Sequence, residues 1–539
     1  MAQSNPRIAM GKVATVQSQA VWQDLPRLCA AKPMCDNPPK TNFLMRSSRL
    51  FFLGSAGLVL TAVAAWAAQS PSSLAPKLPP SVPLVLAGGT VVDVNDWGRS
   101  AKDLPDAIVI VRDGRITDVG SRMAVSIPKG AQVIDCTGKF IIPGLIDGYA
   151  GMNSQGQANA NLYMGVTTVV AVSDARRGTV NIAASPRPHL YLVDSIGSTD
   201  NWSLLAKRPD WALKLRELAH PVELSPEETA HQLIDTARLG TRAVRLGHNI
   251  TAANAQLIIA RAHQMGLVTY GEFVATPYQV GIEAGVDALP HMGRYELGVI
   301  PDELQRPLVE DSGGTSAATA YDYAERLPTT DLHLRNYARF LAAHHAALMP
   351  TFSLYYAQLP EHRNLWNDPA AKLLDPARIN EPTDRTTGEM DYPLTLSIIS
   401  RRLPYSTQRW MEESQRKKAD QSALHLWQIN EAFFSTNPHY LAASGAPVRS
   451  ALPGISMHIE LELLVRLGLS PREALAAATN NYSLQFGWHE LGLIAPGRRA
   501  DILVVDGDPT VNIWNARRIS GLIMDGNLID RAKLLNLKR

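Results

Sequence analysis

The chain has 539 residues, 45% of them hydrophobic and 19% charged, with 52 Lys and Arg against 50 Asp and Glu. Such a length and composition suit a large folded domain with a smaller one beside it, and they exclude a fibrous chain or one disordered throughout. The near balance of charge excludes a nucleic-acid binder.

Residues 1–44 are polar, contain prolines and lack periodicity, and they read as a misassigned start or a disordered extension. A new pattern starts at Met45: Arg46 and Arg49 precede an uncharged apolar run over 50–65 that ends in small residues at Ala65-Trp66-Ala67. That order is the layout of a signal peptide over 45–67, so the expected location is periplasmic or secreted. The alternative is an N-terminal membrane anchor, because the run approaches the roughly 20 residues a spanning helix needs. A Pro/Ser-rich linker occupies 68–82. Removal of 1–67 takes 7 of the 52 basic and 2 of the 50 acidic residues, leaving 45 and 48, a net charge near −3. Of three cysteines only Cys136 then remains, which excludes an internal disulfide.

From 83 to 138, short β-type runs alternate with Gly, Asp and Pro turns, and Arg112-Asp113-Gly114-Arg115 reads as a hairpin turn. Residues 140–153, FIIPGLIDGYAGMN, form an apolar strand opening onto a polar end, the pattern of a buried parallel strand at a site. Further strands are expected at 166–172, 189–196, 243–248, 267–273, 287–292, 347–352 and 440–446, with helices between them, the alternation of an eight-stranded α/β barrel. Ser225-Pro226-Glu227-Glu228 and Ser470-Pro471-Arg472-Glu473 each combine an N-cap, a first-turn proline and a carboxylate able to close a capping box. Residues 353–425 lie between the last two strands and are expected to roof the barrel mouth, since loops after strands build that face.

PGLID at 143–147, MGVTTVV at 164–170, AGVDALPH at 284–291, MPTF at 349–352, and the run from ISMHIELELL to GRRADILVVDGDP resemble the amidohydrolase superfamily, in particular its imidazolonepropionase-like members. The resemblance spans roughly 83–530. It implies a (β/α)8 TIM-type barrel over 140–492 and a small composite β-sandwich over 83–139 and 493–532, with hydrolysis of C–N bonds in amides, cyclic amides or dipeptide-like molecules as the activity. Relatives hold zinc or another divalent metal through His-x-His, a carboxylated Lys, two further His and an Asp.

At those places this chain carries Tyr149 and Gly151, Arg245, Gly271, His291, and Ser444 or Gly445. Only His291 is a retained ligand, so no tightly bound metal is expected: a phenol with pKa near 10 and a guanidinium are poor ligands. Glu272, His248 and Asp174 are weaker substitute ligands, with an ion pair of Glu272 to Arg245, a capping role for Asp174 and a loop position for His248 as the plainer reading. His458 matches a position beside the superfamily's site, and Tyr149, Arg245, Glu272, His291 and His458 are the pocket candidates. His344-His345 ends an amphipathic helix at the surface.

Two functions stay open. One is an exported hydrolase of C–N bonds. The other is a catalytically silent homologue, a pseudoenzyme, serving as partner of an active paralogue or binding a small anion through Arg245 and Tyr149. Metal-free hydrolysis ranks behind both, because neither a Gly-x-Ser-x-Gly elbow nor a Cys-His pair is present. Partners implied are a small molecule and a homo-oligomer or paralogue.

Overall fold

The structure is a computed structural model that describes residues 82–172, 180–196, 224–310, 314–379, 383–389, 405–437 and 439–536. The proposed start, signal peptide and most of the linker lie outside these residues, as does Asp174. No described helix is long and apolar enough to cross a membrane.

Among the described residues, fifteen strands form two sheets. The first contains β1 (Leu84–Val91), β2 (Leu104–Arg112), β3 (Arg115–Ser121), β4 (Gln132–Asp135) and β5 (Phe140–Pro143), and it is completed by β13 (Ile502–Val505), β14 (Ile519–Met524) and β15 (Asn527–Ile529). The expected hairpin joins β2 to β3, with Asp113 and Gly114 both at positive φ, the conformation such a tight turn requires. The sheet is therefore composite, its early and late strands joined where β13 runs antiparallel to β5. Leu86, Val109, Ile141, Ile502 and Val504 fill its interior, and Cys136 is buried there as a free thiol.

The second sheet is parallel and runs in chain order: β6 (Leu145–Ala150), β7 (Val166–Ala171), β8 (His189–Ile196), β9 (Ala243–Leu246), β10 (Val268–Gly271), β11 (Ala288–Pro290) and β12 (Ala347–Met349). Its β-branched and aliphatic runs are buried on both faces, as parallel strands under helices must be. The eighth place is filled by 440–446, which makes an isolated bridge from Tyr440 to Leu348 instead of a ladder. Gly148 N and Gly151 N donate to Ala442 O and Ala446 O, and Gly445 N donates to Tyr149 O, so this segment closes the TIM-type barrel against β6.

The apolar strand expected from Phe140 is two strands. Pro143 ends the part that pairs within the composite sheet, and Gly144 N bonds to Asp501 O there; the barrel begins at Leu145, not at residue 140. Gly144 is needed at the switch, because a Cβ would lie 2.2 Å from Thr167 Oγ1. Inside the barrel Ile146, Val170, Tyr270 and Met349 pack with Tyr482, Phe486 and Trp488. Both expected capping boxes form, Ser225 with Glu228 and Ser470 with Glu473. His344 and His345 are exposed at a helix end.

Candidate active site

Parallel register places the mouth residues. Arg245 on β9 stands between Ser195 on β8 and Tyr270 on β10, so its Nε donates to Ser195 Oγ at 3.0 Å. Glu272 follows β10 directly, its N–H bonded to Leu246 O. Its carboxylate, 3% exposed, accepts a hydrogen bond from the Tyr149 phenol and lies 3.5 Å from Arg245 Nη1 and 3.4 Å from His248 Nε2. Burial alone would raise its pKa, but the Arg245 guanidinium and the contact with His248 outweigh it and hold Glu272 well below the carboxylate range. Burial and the neighbouring Glu272 push the Tyr149 phenol up, so it stays protonated as a donor. The plainer reading of Glu272 and Arg245 as an ion pair is what the geometry gives, and Arg245 is engaged rather than held open for an anion.

His291 sits at the end of β11 with φ +67°, and Thr351, just beyond β12, has φ +52°. Two non-glycine residues in this sparsely populated region, at adjacent strand ends, mark a locally over-determined site. Thr351 Oγ1 donates to Pro350 O at 2.6 Å, so toward the 2.8 Å contact with His291 Nδ1 it acts as acceptor. That fixes the proton on Nδ1 and leaves Nε2 with its lone pair. Burial lowers the His291 pKa to about 4, so the ring is neutral at physiological pH. Its edge meets the Tyr149 ring, centroids 4.5 Å apart.

A cavity of about 700 Å³ opens at this end of the strands. Tyr149, Arg245, His248, Glu272, His291 and Gly445 line it, and the excursion after β12 contributes Leu354, Tyr355 and Gln358, with Ala419, Ser422 and Leu426 from the helix Tyr405–Phe434. The expected roof is therefore present in its described part. His458 is not at the cavity: it is buried on the helix Ile455–Leu467, where Nε2 bonds to Met164 O at 2.8 Å. Its motif position places it in the packing between that helix and the turn after the first barrel helix.

Sequence reasoning missed Arg294, Glu296, Tyr321 and Arg449 in the cavity wall, and Thr351 behind His291. Arg294 stands three residues after His291, the one signal that could have drawn attention to it. Asp147 was also missed: fully buried, it accepts from the backbone N–H of Ser444 at 2.9 Å and from Ser444 Oγ, tying the first strand to the eighth. Burial raises its pKa to about 6.

The described mouth residues do not fit a divalent metal. A Cβ at Gly271 would lie 2.5 Å from Phe273 Cε2, and one at Gly445 would lie 2.7 Å from Leu354 Cδ2, so the space a ligand side chain would need is filled. Ser444 is turned to Asp147, and Glu272 is taken by three partners. Among the described residues, the group of His, Asp, Glu or Cys side chains close enough to share an ion is His189, Asp501 and Asp525. It lies where the start of β8 meets the composite sheet, and Arg499 Nε already occupies Asp501 Oδ2 at 2.6 Å.

The model of the amidohydrolase family matches residues 439–529. A dihydroorotase of Pelotomaculum thermopropionicum is 33% identical over 104 residues, 19% of this chain and 21% of that protein. An imidazolonepropionase of Rhizobium rhizogenes is 44% identical over 48 residues, 9% of this chain and 12% of that protein. The chain thus aligns with about a fifth or less of the length of the curated relatives it matches. Among solved structures, a Xaa-Pro dipeptidase with bound methionine has a TM-score of 0.55 at 15% identity, over 83% of this chain and all of that one. Molinate hydrolase has 0.55 at 16% identity, over 86% and 98%. Likeness of this kind establishes the fold.

Proposed function

We propose that this chain, as a member of the amidohydrolase superfamily, admits a small amide-bearing molecule to the barrel mouth and hydrolyses a C–N bond there. The observation that carries this is the cavity itself: it opens at the C-terminal strand ends, where barrel enzymes place their chemistry, and a strained, tautomer-fixed histidine lines it. In this reading the ligand set of active relatives has been lost, and the chain's own side chains do the work. His291 Nε2 accepts a proton from water as the water oxygen bonds to the amide carbon, and returns it to the nitrogen as the C–N bond breaks; Thr351 keeps the ring in the tautomer that can do so. Export with processing near Ala67, and association with a second copy or a paralogue, complete the reading.

The threefold engagement of Glu272 favours a second reading, a silent homologue that binds without turning over, since a carboxylate so held is a poor base. Amine release from a panel of N-acyl amino acids, dipeptides and cyclic amides separates the two. Turnover by the wild type that is lost in His291→Gln supports hydrolysis. Binding without turnover of any member, with and without added zinc, supports the silent homologue.

A further inference from the structure

Two arginines of the cavity lining are paired differently. Arg245 lies 3.5 Å from the Glu272 carboxylate. Arg294 donates through Nη1 to the Tyr321 phenol at 2.6 Å, and no carboxylate comes within 4.0 Å of it among the described residues. Beside it Glu296 is 1% exposed, lines the same cavity and leaves Oε2 buried without a hydrogen-bond partner. Burial, reinforced by Glu325 and only partly offset by Arg294, holds this carboxyl well above the usual range, which favours the protonated form with a hydrogen to donate. Arg449, over the Tyr355 ring at 5.0 Å, closes the same wall. A buried polar group left unsatisfied is costly, and one on a cavity-lining residue beside a guanidinium with no carboxylate in ion-pair range has its explanation in a ligand.

We propose that Arg294, Glu296 and Arg449 form a subsite for a ligand carboxylate, so that the molecule entering the mouth carries a carboxylate on the side away from its amide. A carboxylate offers planar acceptors to the guanidinium of Arg294 and accepts the hydrogen of the Glu296 acid, satisfying both groups at once. This rests on the reading of the mouth as the ligand site but not on turnover, and it assigns anion recognition to Arg294 in place of Arg245.

The test uses the purified chain and three probes: N-acetylglycine, its neutral analogue N-acetylglycinamide, and inorganic phosphate, followed by calorimetric titration. N-acetylglycine should bind at least tenfold more tightly than the amide, and Arg294→Gln should remove that preference. Glu296→Leu, which removes the donor, should weaken binding of N-acetylglycine at least threefold, whereas Glu296→Gln, which keeps a neutral donor in the same shape, should retain the preference. The wild-type comparison decides the matter even if Arg294→Gln fails to fold. Equal binding of acid and amide, no binding of either, or tighter binding of phosphate would overturn the assignment. Absence of hydrolysis alongside the expected preferences would sink only the hydrolytic reading.

Discussion

At the level of single residues, Glu272 carries the heaviest electrostatic load. Arg245→Met leaves a buried carboxylate with Tyr149 and His248 but without its fixed cation, and should cost about 2–4 kcal/mol in urea unfolding at pH 7. Because the folded pKa of Glu272 lies below its ordinary 4.5, its contribution is complete above pH 4.5 and is lost as pH falls toward the depressed value. The gap between wild type and Arg245→Met should therefore narrow in acid; a gap constant from pH 7 to 3.5 would show that Glu272 is not held ionised. His458 gives a second titration. Burial lowers its pKa from 6.5 to about 3, so the unfolded chain takes up the proton first and stability is lost as pH falls below 6.5. The wild type should lose up to about 1.4 kcal/mol per pH unit relative to His458→Gln between pH 6 and 4, with ligand binding unchanged in the variant. His291 was legible because its strand motif survives intact. Arg294 was not, because whether an arginine is paired depends on carboxylates arriving from other elements, which spacing along the chain cannot reveal.

Strands and helices were legible wherever periodicity or a cap acts locally, as at Ser225 and Ser470. The division at Pro143-Gly144 escaped because an apolar run reads the same whether it pairs in one sheet or in two; what decides is β13, more than 350 residues later. The eighth strand was legible as a place but not as a bridge, since 440–446 bonds to β6 through single backbone contacts. One close approach between elements has a measurable consequence. The Phe273 ring, fully buried, lies over two glycines: a Cβ would stand 2.5 Å from it at Gly271 and 2.2 Å at Gly281, on the helix Tyr278–Glu283. Gly281→Ala should thus destabilise by about 1–3 kcal/mol although alanine is the better helix former. Pairing it with Phe273→Leu should recover part of the loss. A stabilising Gly281→Ala would mean that the ring does not occupy that position.

For the molecule as a whole, the barrel and the composite sheet depend on one another through strands contributed by the last part of the chain. A chain ended at residue 499 lacks β13, β14 and β15 and leaves the backbone of β5 without its antiparallel partner. It should give no cooperative thermal transition; a sharp melt would show that the barrel folds alone. If the mouth hydrolyses a C–N bond with the chain's own groups, since its described residues do not fit a metal, amine release from N-acyl amino acids should survive metal removal. Measured on wild type and His291→Gln, each stripped with chelator and verified by elemental analysis, it should show turnover by the stripped wild type and at least about a hundredfold loss in the variant, the scale of losing a general base. Turnover abolished by stripping and restored by zinc, or no turnover in either protein, would overturn metal-free hydrolysis at this mouth.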